Sequence, residues 1–268
     1  MTGEEGQYIK CHLIPRALTR PRPGGEPFPQ IGNGQRPVKR RDSWYDRTLV
    51  IQRGEDILTS HDTFGIAELR REKLVWQSWG PMLELSTSDF TVFPEEPHGL
   101  RQVHFSDPPR LRRFLLSLLW RAAATKLPEF GEVQLRASDL RRLRSVVRDN
   151  KDMPIDFFPA TLLQLSTRGL DHNLAPLAQT KAGVRLGGFK SRDQKIFRFY
   201  FDGLVVHFHP DPRPQDIDGM RPFLVGDNAA TVVSTVRTYA SWEWQNLLYC
   251  IEDAERLHPG MLNRTGGI

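Results

Sequence analysis

His12 stands where an imidazole can do acid–base chemistry. It ends a short hydrophobic segment and is followed directly by Leu13, Ile14 and Pro15. Proline turns the chain out of a strand, so we expect the imidazole to face a cleft. An imidazole titrates near neutral pH and can take a proton from water as a general base. The pattern makes His12 the first candidate catalytic residue.

A second pair of imidazoles lies near the end of a predicted strand. His207 and His209 flank Phe208, and Asp211 follows. Side chains alternate between the two faces of a strand, so both imidazoles lie on one face. Two imidazoles and a carboxylate could bind zinc or iron. Because no third strong ligand is visible, the favoured interpretation is an exposed polar face beside a buried Phe208.

Two clusters of basic residues point to an acidic partner. The cations of the first cluster are Arg36, Lys39, Arg40 and Arg41. The second cluster places Arg141, Arg144 and Arg148 on one face of a predicted helix, partly paired with Asp139 and Asp149. A formal net charge of +5 and a pI near 9.4 favour nucleic acid as that partner. We expect the first cluster to bind the phosphate backbone, and we interpret the second as a solvated helix face.

Composition excludes several classes of protein. A chain of 268 residues, 39% hydrophobic and 26% charged, can form one large domain or two small ones. Its longest apolar run, residues 114–120, is too short to span a bilayer, and no signal-peptide pattern is present. Cys11 and Cys250 provide no disulfide framework and no CxxC zinc site. We therefore expect a cytoplasmic protein with no membrane contact.

The sequence also lacks the short motifs of the common nucleotide-binding enzymes and hydrolases. It contains no Walker loop, no dinucleotide-binding fingerprint and no nucleophile elbow. These absences disfavour enzymes that use a nucleotide cofactor and hydrolases that use such a serine nucleophile.

The elements that must position His12 follow in the order strand, loop, strand, helix. Residues 7–15 and 48–52 are predicted strands, and residues 54–73 carry apolar side chains at helical spacing. Between the strands, residues 20–43 are predicted to form a long loop rich in proline and glycine, a length typical of functional connections. This order is that of a ββα-metal unit, which we assign to residues 1–80.

Residues 81–268 are predicted to form a mixed helical and antiparallel-sheet body. Ser106-Asp107 precedes a helix that reaches about residue 125, and a second helix opens near residue 137. Strands are predicted at residues 157–167, 184–189 and 195–208, the last with a hairpin turn at Asp202-Gly203. A final helix is predicted over residues 232–257. The expected fold class is therefore α+β, with the N-terminal unit packed on this body.

Five blocks of the sequence resemble a bacterial family described as HNH endonucleases, which carries a Ser-His-Ile-Ile-Pro signature. The matching blocks are Lys10-Cys11-His12-Leu13-Ile14-Pro15, Trp44-Tyr45-Asp46, residues 49–56, residues 114–122 and Val133-Gln134-Leu135. They are spread over residues 8–135, about half of the chain. The resemblance implies a His–metal finger of the ββα class that acts on nucleic acid, with DNA favoured over RNA, in bacterial defence or a mobile element.

The resemblance also implies roles for individual residues. His12 would be the general base that deprotonates the water attacking a phosphodiester, and Asp46 would orient its imidazole. The following helix would supply the ligands of one Mg²⁺ or Mn²⁺ ion, with His61 as the imidazole and Asp56 as the acidic partner, Glu55 or Asp62 being alternatives.

The chain departs from the family at its cysteines. Members carry two Cys-x-x-Cys pairs, whereas here the first has no counterpart and Ile51 and Gly54 stand in place of the second. A structural zinc is therefore predicted to be absent, and packing on the body must hold the finger instead. Cys11 also takes the position before the base that is often acidic in HNH enzymes. The alternative function is a catalytically degenerate module that binds nucleic acid or a protein partner.

Overall fold

The computed structural model describes residues 1–19, 28–32, 34–86, 91–92, 98–183, 185–186, 189–190 and 192–260. Within these residues the chain has a mixed α+β fold, in agreement with the predicted class. The helices are α1 (Arg16–Thr19), α2 (Gln52–Arg71), α3 (Pro108–Ala124), α4 (Ala137–Asp149), α5 (Pro214–Met220) and α6 (Trp242–Leu257).

Fourteen strands form four sheets in the described part of the chain. The strands are β1 (Cys11–His12), β2 (Phe28–Ile31), β3 (Val38–Arg40), β4 (Tyr45–Asp46), β5 (Thr91–Val92), β6 (His98–His104), β7 (Ala160–Leu165), β8 (Asn173–Leu174), β9 (Leu177–Lys181), β10 (Arg185–Leu186), β11 (Phe189–Lys190), β12 (Gln194–Phe201), β13 (Leu204–Phe208) and β14 (Ala230–Val236).

The largest sheet has seven strands in the order β5-β6-β14-β7-β13-β12-β9. Its strands pair antiparallel except β14 and β7, which run parallel. One face of the sheet carries Phe199 and Phe208 into the main core, together with buried side chains of α2, α3 and α4. The opposite face carries Tyr200 and Val205, which pack with Leu247 of α6. The sheet is thus covered by helices on both faces.

Local sequence signals predicted several of these elements correctly. Helix α3 begins after Asp107, whose side chain accepts a hydrogen bond of 2.9 Å from the backbone N–H of Arg110. Strands β12 and β13 form the predicted hairpin, and its turn places Asp202 at φ +52° and Gly203 at φ +83°. Both residues are of the types that enter the left-handed region most easily.

The predicted final helix was wrong in its first part. Residues 230–236 form β14, which lies inside the large sheet between β6 and β7. Its alternation of Thr231, Val233 and Thr235 toward one face favours a strand, because β-branched side chains pack well on a pleated surface. Helix α6 starts only after Ser241, whose hydroxyl accepts a hydrogen bond from the N–H of Trp244.

The strand predicted at residues 48–52 was also wrong. The partner of β1 is β4, and α2 already begins at Gln52. Ile51 makes only an isolated bridge with Tyr8. The segment predicted as a strand therefore forms the turn that leads from β4 into α2.

The segment predicted as one long loop, residues 20–43, contains two strands. Strand β2 pairs antiparallel with β3 and parallel with β8, so this segment joins a small sheet with the body. Residues 20–27 and 33 lie outside the described part of the chain. The strand predicted at residues 184–189 corresponds to the short pair β10 and β11, with residues 184, 187 and 188 also outside it.

The hydrophobic core is continuous across residue 80. Leu13 and Leu58 from the first 80 residues share one buried cluster with Phe114 and Phe208 from the rest. Packing of this kind can hold the N-terminal elements without a metal. Among the described residues, no helix combines the length and the apolar character needed to cross a bilayer.

Candidate active site

His12 lies at the end of β1 and is held by a carboxylate. The antiparallel pairing of β1 with β4 places His12 opposite Tyr45, and their rings meet edge to face. The Nε2 atom of His12 lies 3.1 Å from Oδ1 of Asp42. The His12 side chain is 24% exposed, so its imidazole is both oriented and open to solvent.

Asp42 also lies close to two cationic side chains. Its Oδ2 accepts a hydrogen bond of 2.5 Å from Lys10, and Arg16 lies 3.7 Å from its Oδ1. Burial acts to raise the pKa of Asp42, but hydrogen bonds from Lys10 and His12 outweigh it and lower the pKa. The carboxylate is therefore ionised at neutral pH and can balance positive charge on the imidazole.

The sequence pointed to Asp46 as the orienting carboxylate, and the structure gives that contact to Asp42 instead. Asp46 is paired with Cys11 across the two strands, so its side chain lies on the face opposite to His12. Its oxygens accept hydrogen bonds from Thr48 and from the hydroxyl of Thr125, which directly follows α3. Asp46 thus ties β4 to the helical body.

His61 is on α2 as predicted, but its imidazole serves a structural contact. The residue is buried, and its Nε2 lies 2.9 Å from the carbonyl oxygen of Val147 near the end of α4. Desolvation by burial lowers the pKa of His61 despite this hydrogen bond. The neutral imidazole donates to a carbonyl that the helix itself leaves unpaired.

Asp56, the predicted acidic ligand, does not join His61. It lies on the exposed side of α2, where Oδ1 accepts a hydrogen bond of 2.8 Å from Gln52. Asp56 and His61 are five positions apart in the sequence, which places them on different faces of an α-helix. Across the described ranges, no three His, Cys, Asp or Glu side chains are arranged to hold a metal ion. The residues predicted to bind Mg²⁺ or Mn²⁺ therefore do not form the expected site here.

A buried ion pair lies beneath β1, on the side away from His12. Arg121 of α3 is 1% exposed and donates to both carboxylate oxygens of Asp62 on α2. It also donates to the backbone carbonyl of His12 at 3.1 Å. Burial raises the pKa of the neighbouring Cys11 thiol, which stays protonated. Arg121 thus fixes the strand that carries the candidate base.

The basic cluster predicted to bind nucleic acid leads directly into Asp42. Its four residues are exposed, and they are Arg36, Lys39, Arg40 and Arg41. Arg41 immediately precedes Asp42, and Lys10 lies 4.2 Å above the ring of Tyr45. Arg47 approaches the same ring from 5.6 Å. The surface near His12 is therefore rich in cations and offers an aromatic ring.

The arginines of α4 form a separate surface. Arg141 and Arg144 are exposed, and Arg148 bonds to Asp149, its neighbour in the chain. This arrangement agrees with the solvated helix face that the sequence favoured.

The pair His207 and His209 forms neither the exposed polar face that the sequence favoured nor, among the described residues, a group of three or more metal ligands. His209 is buried, and its Nε2 lies 3.4 Å from the hydroxyl of Thr161. Burial first, and then the charge of Lys181, lower the pKa of His209 to about 4. His207 faces Arg198 across the strands, and burial together with this charge lowers its pKa. A metal ion binds the neutral form of imidazole, but Arg198 and Lys181 would repel a metal ion at this pair.

Two site residues were missed from the sequence. Asp42 belongs to the Arg-Arg-Asp-Ser-Trp-Tyr-Asp segment, where two aspartates lie four residues apart and the second one was chosen. Arg121 lies within the block of residues 114–122, to which the sequence assigned no role in the site. A signal existed only for Asp42: its place at the end of a basic run fits a carboxylate that neutralises neighbouring cations.

Comparisons with protein-family models, curated proteins and solved structures found no match to this chain.

Proposed function

We propose that this chain cleaves phosphodiester bonds in nucleic acid, with His12 as the general base and Asp42 as its orienting carboxylate. The observation that carries the proposal is the 3.1 Å contact between His12 and Asp42 on a solvent-accessible surface rich in cations. A surface that only binds nucleic acid requires the cations but does not require an oriented imidazole. The antiparallel pairing of β1 with β4, followed in the chain by α2, is an arrangement that a ββα unit requires.

The proton transfer follows from the hydrogen bond. Because the carboxylate of Asp42 can only accept, the proton of the neutral imidazole is assigned to Nε2, and Nδ1 remains free to take a proton. A water molecule gives its proton to Nδ1 while its oxygen forms a bond to phosphorus. The bond from phosphorus to the leaving oxygen then breaks, and solvent protonates that oxygen. Asp42 stabilises the imidazolium that results.

Charge at the reacting phosphate is the second requirement. Lys10 and Arg16 place positive charge at Asp42, the carboxylate that contacts His12. The exposed side chains of Arg36, Lys39, Arg40 and Arg41 belong to the segment that leads into Asp42. Arginine binds phosphate oxygens in a bidentate manner, and contacts of this kind hold a nucleic acid in place. The predicted metal ligands do not come together, because His61 contacts the carbonyl of Val147 and Asp56 contacts Gln52 on the exposed side of α2.

Cleavage of supercoiled plasmid and of total RNA by the purified chain tests the proposal. We expect His12→Ala to abolish cleavage and Asp42→Asn to lower it by ten- to a thousand-fold, whereas His104→Ala, an exposed histidine elsewhere, retains it. Assays with Mg²⁺, Mn²⁺ and EDTA report on the divalent ion that the resemblance implied. Equal cleavage by wild type and His12→Ala would refute the catalytic role of His12.

The second candidate is a module that binds nucleic acid without cleaving it. The exposed side chains of Arg36, Lys39, Arg40 and Arg41 support it, because a cation surface can bind phosphates without any catalytic group. Binding lost on neutralising Arg40 and Arg41, in a chain that never cleaves, would support this second function. Retained binding in that variant would show that the basic cluster contributes to neither function.

A further inference from the structure

Exposed hydrophobic side chains are concentrated at the C-terminal end of the described chain. Eight large hydrophobic side chains are exposed among the described residues, and five of them lie between residues 239 and 257. They are Tyr239 (62%), Trp242 (73%), Leu248 (39%), Tyr249 (64%) and Leu257 (49%). Four of them lie on α6 and Tyr239 lies just before it. Such a concentration marks an interaction surface, whereas single exposed hydrophobic residues are ordinary.

The exposed face of α6 has a regular spacing. Trp242, Tyr249 and Arg256 are seven residues apart, which places them along one stripe of the helix. A surface depression of about 510 Å³ lies beside this stripe and is lined by Tyr249, Asp253 and Arg256 among others. The opposite face of α6 buries Leu247 and Cys250 against the large sheet, so the stripe points away from the core.

The charges on this face disfavour nucleic acid as the occupant. Glu252 and Asp253 lie next to Tyr249, and Arg256 is already paired with Asp253. A phosphate backbone would meet two carboxylates at the centre of the stripe. The surface therefore differs in kind from the cation-rich surface around His12.

We propose that α6 is a dimer interface, on which a second copy of this chain lays its own α6 in the antiparallel direction. Trp242 and Arg256 are equally distant in sequence from Tyr249, so the stripe is self-complementary about that residue. In the antiparallel pair Tyr249 meets its own copy at the two-fold axis. Trp242 then meets Arg256 of the second copy as a cation–π pair, and Gln245 faces Asp253.

The size of the surface fits a weak dimer. With roughly 200 Å² for a fully exposed large side chain, the exposed fractions of Trp242 (73%), Tyr249 (64%) and Arg256 (76%) amount to roughly 430 Å² in each copy. Two copies would bury roughly 850 Å², in the range of weak and transient interfaces below about 1,200 Å². We therefore expect dimerisation that depends on protein concentration.

Sedimentation velocity across a wide concentration range tests the dimer. The wild-type chain should shift from monomer to dimer, and Trp242→Ala or Tyr249→Glu should raise the dissociation constant at least tenfold. Leu83→Glu is the matched control, because Leu83 is 69% exposed but lies elsewhere in the chain. Circular dichroism confirms that each variant is folded. A monomer at every concentration, or a dimer that both α6 variants leave intact, overturns the proposal.

Cysteine cross-linking tests the antiparallel register. Tyr249→Cys should form a covalent dimer on mild oxidation, and a mixture of Trp242→Cys and Arg256→Cys chains should cross-link to each other. Leu83→Cys should stay monomeric, and the native Cys11 and Cys250 are buried. Cross-linking of Trp242→Cys with itself, but not with Arg256→Cys, would overturn the antiparallel arrangement.

Discussion

Gly65 of α2 lies against the ring of Phe114 in α3. A Cβ atom on Gly65 would be only 2.2 Å from two atoms of that ring. Glycine normally weakens a helix interior by about 1 kcal/mol relative to alanine. Here its lack of a side chain is what lets the two helices approach, and the ring of Phe114 fills the space in the core.

We expect Gly65→Ala to destabilise the protein although alanine is the better helix former. The added methyl group must displace a fully buried ring, and overpacking of this kind costs about 1–3 kcal/mol. Gly219→Ala on α5 is the matched control, because no atom lies within 4 Å of its added Cβ. Urea unfolding should show a lower midpoint for the first variant and an equal or higher one for the second.

His61→Ala should lower stability. The variant leaves the buried carbonyl of Val147 without its partner, and an unpaired buried group costs about 1–3 kcal/mol. Thermal unfolding measures the loss, with Asp56→Ala as a control on the exposed side of the same helix. Unchanged stability of His61→Ala, together with loss of divalent-ion binding, would instead restore the ligand role that the sequence assigned.

The pair formed by Arg121 and Asp62 should behave as a coupled unit. Arg121→Met leaves the carboxylate of Asp62 without its partner, and breaking a buried pair in this way costs about 3–5 kcal/mol. Adding Asp62→Leu should recover part of that loss, because no uncompensated charge then remains. Chemical unfolding of the two single variants and the double variant gives the coupling. Strictly additive effects would contradict a direct interaction.

Asp202 should make the stability fall as pH rises. The pKa of Asp202 is raised from 3.8 to about 7. Burial is the largest cause; a hydrogen bond from the backbone N–H of Gln77 acts to lower the pKa, and the charge of Asp171 acts to raise it. Between about pH 4 and pH 7 the folded chain keeps this proton and the unfolded chain does not. The contribution of Asp202 to stability is therefore complete below pH 4 and is lost as pH rises to 7.

Asp202→Asn isolates this contribution. Asparagine tolerates the left-handed conformation at φ +52° and keeps an acceptor for the N–H of Gln77. We expect the variant to gain stability over wild type between pH 4 and pH 7, up to about 4 kcal/mol. Urea unfolding at each pH gives the free energy of unfolding of both proteins. The buried histidines change this free energy with pH in the opposite direction, and their effect cancels in the difference between wild type and variant. A constant difference across this range would contradict the raised pKa.

Short-range signals determined much of the fold. The cap at Asp107, the Asp202-Gly203 turn and the helical spacing of α3 act within a few residues, so the sequence predicted each of them. The switch from β14 to α6 was missed, because Val232 and Val233 fit a helical pattern as well as a strand. Residues 230–236 form a strand because they pair with β6 and β7 on either side within the large sheet.

The candidate site shows the same division. The sequence by itself determined that an imidazole ends a short strand at His12 and that a basic run lies nearby. Only the tertiary structure decided which aspartate binds His12, because the pairing of β1 with β4 turns Asp46 away from it. Likewise, the partner of His61 is a carbonyl 86 residues further along the chain, which no local pattern encodes. Residue types and local spacing suggest the chemistry, but long-range packing determines which groups meet.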